Sequence, residues 1–476
     1  MSLSSAHRSA LAGLICLAAA CTLAACSGSA RLDSADAGRT LVYEPGLPDF
    51  DLEAIGTWQD GEPGIDVYLG LPRISLVYVR MQGAYEARYE RAIRLFDRES
   101  RDLVAEQLDR DTIRVADYEA TQSYRPVLQT TRLDVPPGDY VVEVTVTDEV
   151  TDKHAVRRQA VALVGPGAGR PHLSRMRLEA RRGAAGFEPV VSLHVPSGMD
   201  SLRTIVELSH LSPEADVDVS MRLVRFVTDT TVASPPYWLS PSHGALAYRG
   251  IEYDARDTLQ VSRRRLEDVA DAATVEFDLP ELSPGVYRIV LRADVPTRSG
   301  EVVRLDETRD FSVKPPAFPH LALLEELVEA LAYIAFEDEI AHIASAPDAQ
   351  EMKRRFDAFW GMLVPNRQVA ANLVKHYYER VEEANLFFTT YKEGWKTDRG
   401  MVYVVLGPPL QVETRADVEV WYYSFGDRDP TSTFVFDRVR TLTREDLFEQ
   451  YVLQRRSYYQ FAWTEAVDRW RDASVL

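Results

Sequence analysis

Cysteine is nearly absent from this chain. The three present are Cys16, Cys21 and Cys26, so everything after residue 26 is free of disulfides, thiolate nucleophiles and thiolate metal sites. Lysine is also scarce. There are six, at 153, 314, 353, 375, 392 and 396, and all other basic residues are arginine. Basic charge as a whole is short: 54 Lys and Arg stand against 73 Asp and Glu, a net charge of −19. That balance excludes the basic stripe a nucleic-acid partner needs and a polybasic hold on anionic lipid. No cofactor is expected: there is no HExxH, no Gly-x-Ser-x-Gly and no P-loop.

What is present begins with a targeting segment. Leu11 to Ala20 is apolar but too short for a stop-transfer helix, and it leads into Leu23-Ala24-Ala25-Cys26. A small-residue run closing on Cys resembles the lipobox of bacterial lipoproteins. That resemblance implies a signal peptide over 1–25 and lipidation of Cys26, hence a membrane partner through lipid. Ser27 after the cysteine, by resemblance to the lipoprotein sorting rule, implies an outer-membrane address in the cell envelope. Residues 26–40 are small and polar and read as a flexible tether.

Three folded parts are expected beyond it. Residues 41–165 hold alternating runs, most clearly Tyr140-Val-Val-Glu-Val-Thr-Val-Thr-Asp148. There Tyr140, Val142, Val144 and Val146 share one face and Glu143, Thr145 and Thr147 the other, as in an antiparallel strand over a core. GPGAGRP (165–171) reads as a linker. Residues 171–314 repeat the plan, with Tyr287, Ile289 and Leu291 on one face. Both strands follow a Pro-Gly corner, Pro137-Gly138 before Tyr140 and Pro284-Gly285 before Tyr287. The corner resembles the tyrosine corner of fibronectin type III and immunoglobulin-like domains, which implies that each ring packs inward and each hydroxyl bonds backbone upstream. The fold class expected is therefore multidomain, two antiparallel β-sandwiches followed by an α+β domain over 318–476. The aromatic loop 233–244 reads as a surface loop pinned by Trp238, or as a binding loop.

After Lys314-Pro-Pro-Ala-Phe-Pro319 the period changes. Leu321, Leu324, Val328, Leu331 and Ala335 predict one helix. Met352, Phe356, Trp360 and Leu363 predict a second, begun by Asp348 and Glu351. Val369, Leu373, Tyr377, Val381, Ala384 and Phe388 predict a third over about 367–390. The chain then reaches KEGWKTDRGMVYVVLGPP, 392–409. Gly394 is expected to end the third helix with positive φ, releasing Trp395 into the core. Thr397 and Asp398 suit a turn, and Gly400 a second tight bend. Met401 to Leu406, apolar on both faces, reads as a strand covered on both sides and stopped by Gly407-Pro408-Pro409. Two more strands, 418–424 and 433–437, complete a small sheet. The tail, 440–470, predicts a closing helix or two.

GWKTDRG, with FDAFW (356–360), YYERVEEAN (377–385), VYVVLGPP and EVWYY around it, resembles the GWxTD domain family of bacterial envelope proteins. The resemblance covers about 320–440. It implies a fold and a compartment but no reaction. Two acidic places of the family, an Asp-Pro and an Asp-Glu, read here as Val364-Pro365 and Leu410-Gln411. Lys392, Gly394, Trp395, Lys396, Thr397, Asp398, Arg399, Gly400, Tyr403, Gly407, Pro408 and Pro409 are the candidate motif and partner-binding residues. The leading expectation is a non-catalytic binding or assembly module with a protein partner in the envelope. An envelope enzyme acting on glycan or peptide near Asp398, and a carbohydrate adhesin acting through sandwich loops, are the alternatives. Glu339-x-x-His342 and His376-x-x-Glu379 could hold a metal only in a four-helix bundle with two further Glu, so no metal site is expected.

Overall fold

The computed structural model describes residues 47–59, 62–164, 170–195, 198–238, 250–297, 300–415, 417–424, 429–439, 448 and 450–476. The signal peptide, Cys26, the tether and most of linker 165–171 lie outside these residues.

The first part is antiparallel β apart from a 3-10 turn at Arg73–Ser75 and a four-residue helix. Its strands are β1 (Asp51–Gln59), β2 (Glu62–Pro72), β3 (Val79–Met81), β4 (Ala84–Asp97), β5 (Leu103–Val115), β6 (Pro126–Asp134), β7 (Gly138–Asp148) and β8 (His154–Leu163), with α1 (Tyr118–Thr121) between β5 and β6. They form a three-stranded sheet, β1-β2-β6, and a five-stranded sheet, β3-β4-β7-β8 with β5 on the free side of β4. Ile65, Val67 and Leu69 from the first share one core with Ile93, Leu95, Val142, Val144 and Val146 from the second. Alternation in β7 sends the valines inward, as expected. Its polar face is spent on an ionic ladder across four strands: Glu106 to Arg94 at 2.8 Å, Arg94 to Glu143 at 3.6 Å, and Glu143 to Arg158 at 2.7 Å. Opposite charges placed directly across strands stabilise the pairing and discourage edge-to-edge association.

The second part comprises β9 (His172–Leu173), β10 (Arg177–Arg181), β11 (Glu188–Pro189), β12 (His194–Val195), β13 (Ser201–Thr228), β14 (Ile251–Leu279), β15 (Gly285–Pro296) and β16 (Val302–Val313). All eight belong to one sheet. Residues 201–205 of β13 pair with β10, and 218–226 pair with β15. Register shifts between Ser209 and Val217 bend the strand between these stretches. Leu202 and Val206 before the bend, and Val219 and Met221 after it, then point into one core with Leu178, Phe277 and Leu291. Both expected corners are formed. The Tyr140 hydroxyl donates to Pro136 O at 2.7 Å, and the Tyr287 hydroxyl donates to Ser283 O at 2.6 Å.

The first two parts meet through polar contacts. Arg309 of β16 pairs with Glu53 of β1 and donates to Met176 O and Val190 O, so its charge is enclosed but fully bonded.

The remainder mixes helices with a small sheet. The helices are α2 (Leu324–Ala330), α3 (Glu337–Ala344), α4 (Ala349–Leu363), α5 (Arg367–Phe388), α6 (Asp398–Leu406) and α7 (Tyr459–Arg471). The antiparallel sheet runs β17 (Gln411–Thr414), β18 (Val418–Tyr422), β19 (Thr433–Arg438) and β20 (Tyr451–Leu453). α4 and α5 stand where expected, and the Asp348 carboxylate caps α4 by accepting from Glu351 N at 2.8 Å. The single helix expected over 321–335 is instead α2, a 3-10 turn over 331–333, and then α3. A new start at Phe336, where Glu339 Oε2 accepts from Phe336 N at 2.8 Å, divides it. In the tail, β20 and α7 are formed, and residues 440–447 lie outside the described ones. The core joins both layers: Trp360, Tyr377, Phe388, Trp395, Trp421, Phe434 and Trp470 are all buried in it.

Loop 233–244 is described only to Trp238. Trp238 does not pin it, being 58 % exposed. Ala233 and Tyr237 pack into the C-terminal core instead, and Pro236 O accepts from Arg456 N at 3.1 Å.

Candidate functional site: the GWKTDRG joint

The stretch expected to be a shielded strand, 401–406, is helical. α6 begins at Asp398 and is buried on every side, with Met401, Val402, Tyr403, Val404 and Val405 all enclosed. A helix apolar all round is a core helix. Over so few residues, a valine-rich run carries no period that separates it from a strand. The cap decides. Thr397 Oγ1 accepts from Gly400 N at 3.0 Å and donates to Gly394 O at 2.7 Å, and Asp398 places an acid in the first turn. The motif thus joins helix to helix, with a 3-10 turn at 394–396 between α5 and α6.

The two motif glycines do not act through φ. Neither has a positive φ, and α5 ends at Phe388, before Gly394. Both serve close approach. A Cβ on Gly394 would lie 1.9 Å from Ala384 O of α5, and one on Gly400 would lie 1.9 Å from Gly394 O. The end of α5, the turn and the start of α6 are therefore stacked backbone on backbone. Gly407 is the positive-φ residue, at +83°. It ends α6 and donates its N–H to Tyr403 O at 2.8 Å. Pro408 and Pro409 follow outside the helix, and β17 starts at Gln411. Arg380 places its guanidinium against the carbonyl end of α6, 3.4 Å from Val404 O and Val405 O, where positive charge suits the helix dipole.

Each charged motif side chain has an internal partner. Asp398 Oδ2 accepts from Leu453 N at 2.8 Å and from Arg455 Nη1 at 3.1 Å, while Oδ1 accepts from Arg455 Nη2 at 2.6 Å. This bidentate fork ties α6 to β20, and Arg455 continues to Ser234 O at 3.1 Å. Arg399 is buried between the rings of Tyr451 and Phe388, 4.3 and 5.3 Å from their centroids, and faces Glu419 at 3.5 Å. Lys396 reaches Glu329 at 3.0 Å and lies 5.1 Å over the Trp395 ring. Trp395 is 1 % exposed, and its carbonyl accepts from the Tyr333 hydroxyl at 2.6 Å. The Tyr403 hydroxyl donates to Glu383 at 2.9 Å; burial raises the pKa of Glu383 and pushes Tyr403 up further.

The lysine scarcity acquires a physical meaning here. Three of the six cluster at this joint. Lys392 leaves the C-terminal part to meet Asp229 at 3.3 Å and Thr231 O at 2.8 Å, just past β13. Lys314, at the end of β16, donates to Thr390 O at 2.9 Å. Burial lowers its pKa to about 8, against an opposing pull from Glu393. Between them Tyr391 enters a small core with Val224, Phe226, Ile251 and Val286. Residues 389–396 therefore form a strap that fastens the helical part to the second sheet. Motif spacing marked the strap itself. It gave no sign of Arg455, Glu419 or Asp229, which lie far away in sequence.

The helical Glu and His pairs are occupied otherwise. Glu339 accepts from Arg471 at 2.8 and 2.9 Å, and His376 stacks on Trp470 with centroids 5.5 Å apart.

A search of curated proteins returns no match. Among solved structures, the crystal structure of red sea bream transglutaminase aligns with 9 % identity and a TM-score of 0.18, over 56 % of this chain and 31 % of that one. Similarity that low carries nothing to the present chain. Residues 302–472 match the GWxTD domain family. The match begins at β16, so it takes in the strand that ends at Lys314, one of the strap's anchor points. The C-terminal third of this chain is a GWxTD domain.

Proposed function

We propose that the chain is an outer-membrane-anchored lipoprotein, held through lipid on Cys26, that works as a non-catalytic binding or assembly module in the bacterial cell envelope. In this reading 41–165 and 171–314 are two β-sandwich modules, 318–476 is the α+β GWxTD-like domain, and a protein partner docks on the assembled surface. The observation that carries it is the enclosure of Asp398, the best catalytic candidate, which is 10 % exposed and held by Arg455 and Leu453 N. A general base must reach its substrate, and this carboxylate is enclosed with three of its acceptor sites already taken. Lys392, Lys396 and Arg399 are likewise turned inward, so partner contact belongs to exposed groups outside the motif. No helix of the described residues is long and apolar enough to cross a membrane.

The test is crosslinking in cells from exposed positions of the GWxTD domain, such as Phe461 and Met362, with Lys396 as an inward control. The expected result is one discrete envelope protein captured from an exposed position, and release of the chain from membranes by Cys26→Ser. Membrane association that survives Cys26→Ser, or capture from none of the exposed positions, contradicts it.

A further inference from the structure

The strongest unassigned feature is a cleft of about 120 Å³ between the first two parts. Gly56, Trp58, Leu163 and Val164 form one wall, and His172, Glu207, Ser209 and Ala273 belong to the other. Its frame is fixed. Trp58 N donates to Glu207 Oε2 at 3.4 Å, and Trp58 Nε1 donates to Val164 O at 3.3 Å. His210 Nε2 is 3.1 Å from the same carbonyl, with its ring edge-on to Trp58 at 5.9 Å. Three polar groups are left over. The His172 ring, the Ser209 hydroxyl and Glu207 Oε1 have no hydrogen-bond partner among the described residues, and all three residues line the cleft. Small side chains, Gly56 and Ala272, leave room between them and the indole.

We infer that this cleft binds one ring of a neutral carbohydrate, with hydroxyls bonded by His172, Glu207 and Ser209 beside Trp58. Ligand sites favour interfaces between domains, apolar walls and a few convergent polar groups, and this cleft has all three. Its volume suits a single sugar ring within a longer glycan. The environment selects against ions. Burial, with His210 nearby, lowers the pKa of His172, and burial raises that of Glu207, so both are biased toward their uncharged forms. A neutral ligand that donates and accepts at neighbouring positions satisfies such a site.

The site is separate from the GWxTD joint and goes beyond the assembly reading. It is tested on the purified full chain by saturation-transfer NMR with methyl α-D-glucopyranoside and N-acetylglucosamine, and with tetramethylammonium as the ionic control. The expected result is saturable binding of at least one pyranoside. Ser209→Ala or Glu207→Gln should weaken it about tenfold, the worth of one hydrogen bond. Ala272 lies opposite Ser209 on the cleft face and is exposed, so Ala272→Leu fills the cleft and should abolish binding with an unchanged melting curve. Saturable binding of neither pyranoside, binding that survives Ala272→Leu, or a preference for tetramethylammonium overturns the inference. Partner capture from Phe461 is independent of Ala272→Leu, so the two proposals fail separately.

Discussion

Two valine-rich runs of nearly equal length take opposite forms in this molecule. YVVEVTV, 140–146, is the middle of β7, and MVYVVL, 401–406, is the body of α6. Valine's preference for strands does not separate them. In β7, Glu143 and Thr145 alternate with buried valines, and the polar side meets Arg94 and Arg158 across the ladder. In α6 every position is enclosed, and the backbone must satisfy itself. A helix does that without neighbours, whereas a buried strand needs a partner on each edge. Thr397, Asp398 and the glycine stack supply the start, and Gly407 the stop. Where both faces are apolar, the flanking residues choose the structure.

The glycine stack is the harshest place to break this contrast. Gly400→Ala or Gly394→Ala forces a methyl group into a backbone carbonyl, at a cost of about 3 kcal/mol or more. Loss of the C-terminal thermal transition is expected, with the β7 part still folded by limited proteolysis. Next comes Asp398→Asn, which leaves Arg455 enclosed without its counter-charge. About 2 to 4 kcal/mol of destabilisation is expected in urea unfolding, and Asp398→Asn with Arg455→Met should recover part of it.

Lys314 gives a pH signature at the strap. Its folded pKa is about 8 against 10.5 for the free side chain, so the unfolded chain binds more protons between these values. Stability from this group is depressed below pH 8 and recovers as pH rises toward 9.5, by an amount of order 2 kcal/mol. Melting curves across that window should rise for the wild type, and Lys314→Met should flatten the slope. Thr397→Ala tests the cap alone and should cost about 1 kcal/mol, with Thr397→Ser close to neutral. Smallest is the corner bond on the β7 side. Tyr140→Phe should cost about 1 kcal/mol or less in the first part, and Tyr287→Phe a similar amount in the second.

Legibility followed the same physics. β7, both tyrosine corners, α4 with its Asp348 cap, α5, β18 and β19 could be read because each has a period or a turn signal of its own. α6 could not, since an enclosed run has no polar face to mark its period. The inward burial of Trp395 was readable from the motif, but the role of its glycines was not. Close approach depends on Ala384 O, a backbone atom with no signature in the sequence. The break between α2 and α3 was hidden because Glu339 caps through its side chain without interrupting the apolar spacing. The unpinned Trp238 was misread for a related reason: its loop is held by Arg456 and by the C-terminal core, both remote in sequence.

The central claim is that the GWKTDRG segment is an interlocked joint, and hydrogen exchange resolved to single amides tests it most directly. Gly394, Gly400 and Leu453 N–H groups should exchange slowly in the wild type, since each is bonded to Thr389, Thr397 or Asp398. Asp398→Asn should speed Leu453 first, with Gly394 and Gly400 following. Fast exchange at all three in the wild type, or a Leu453 amide indifferent to Asp398→Asn, would contradict the joint.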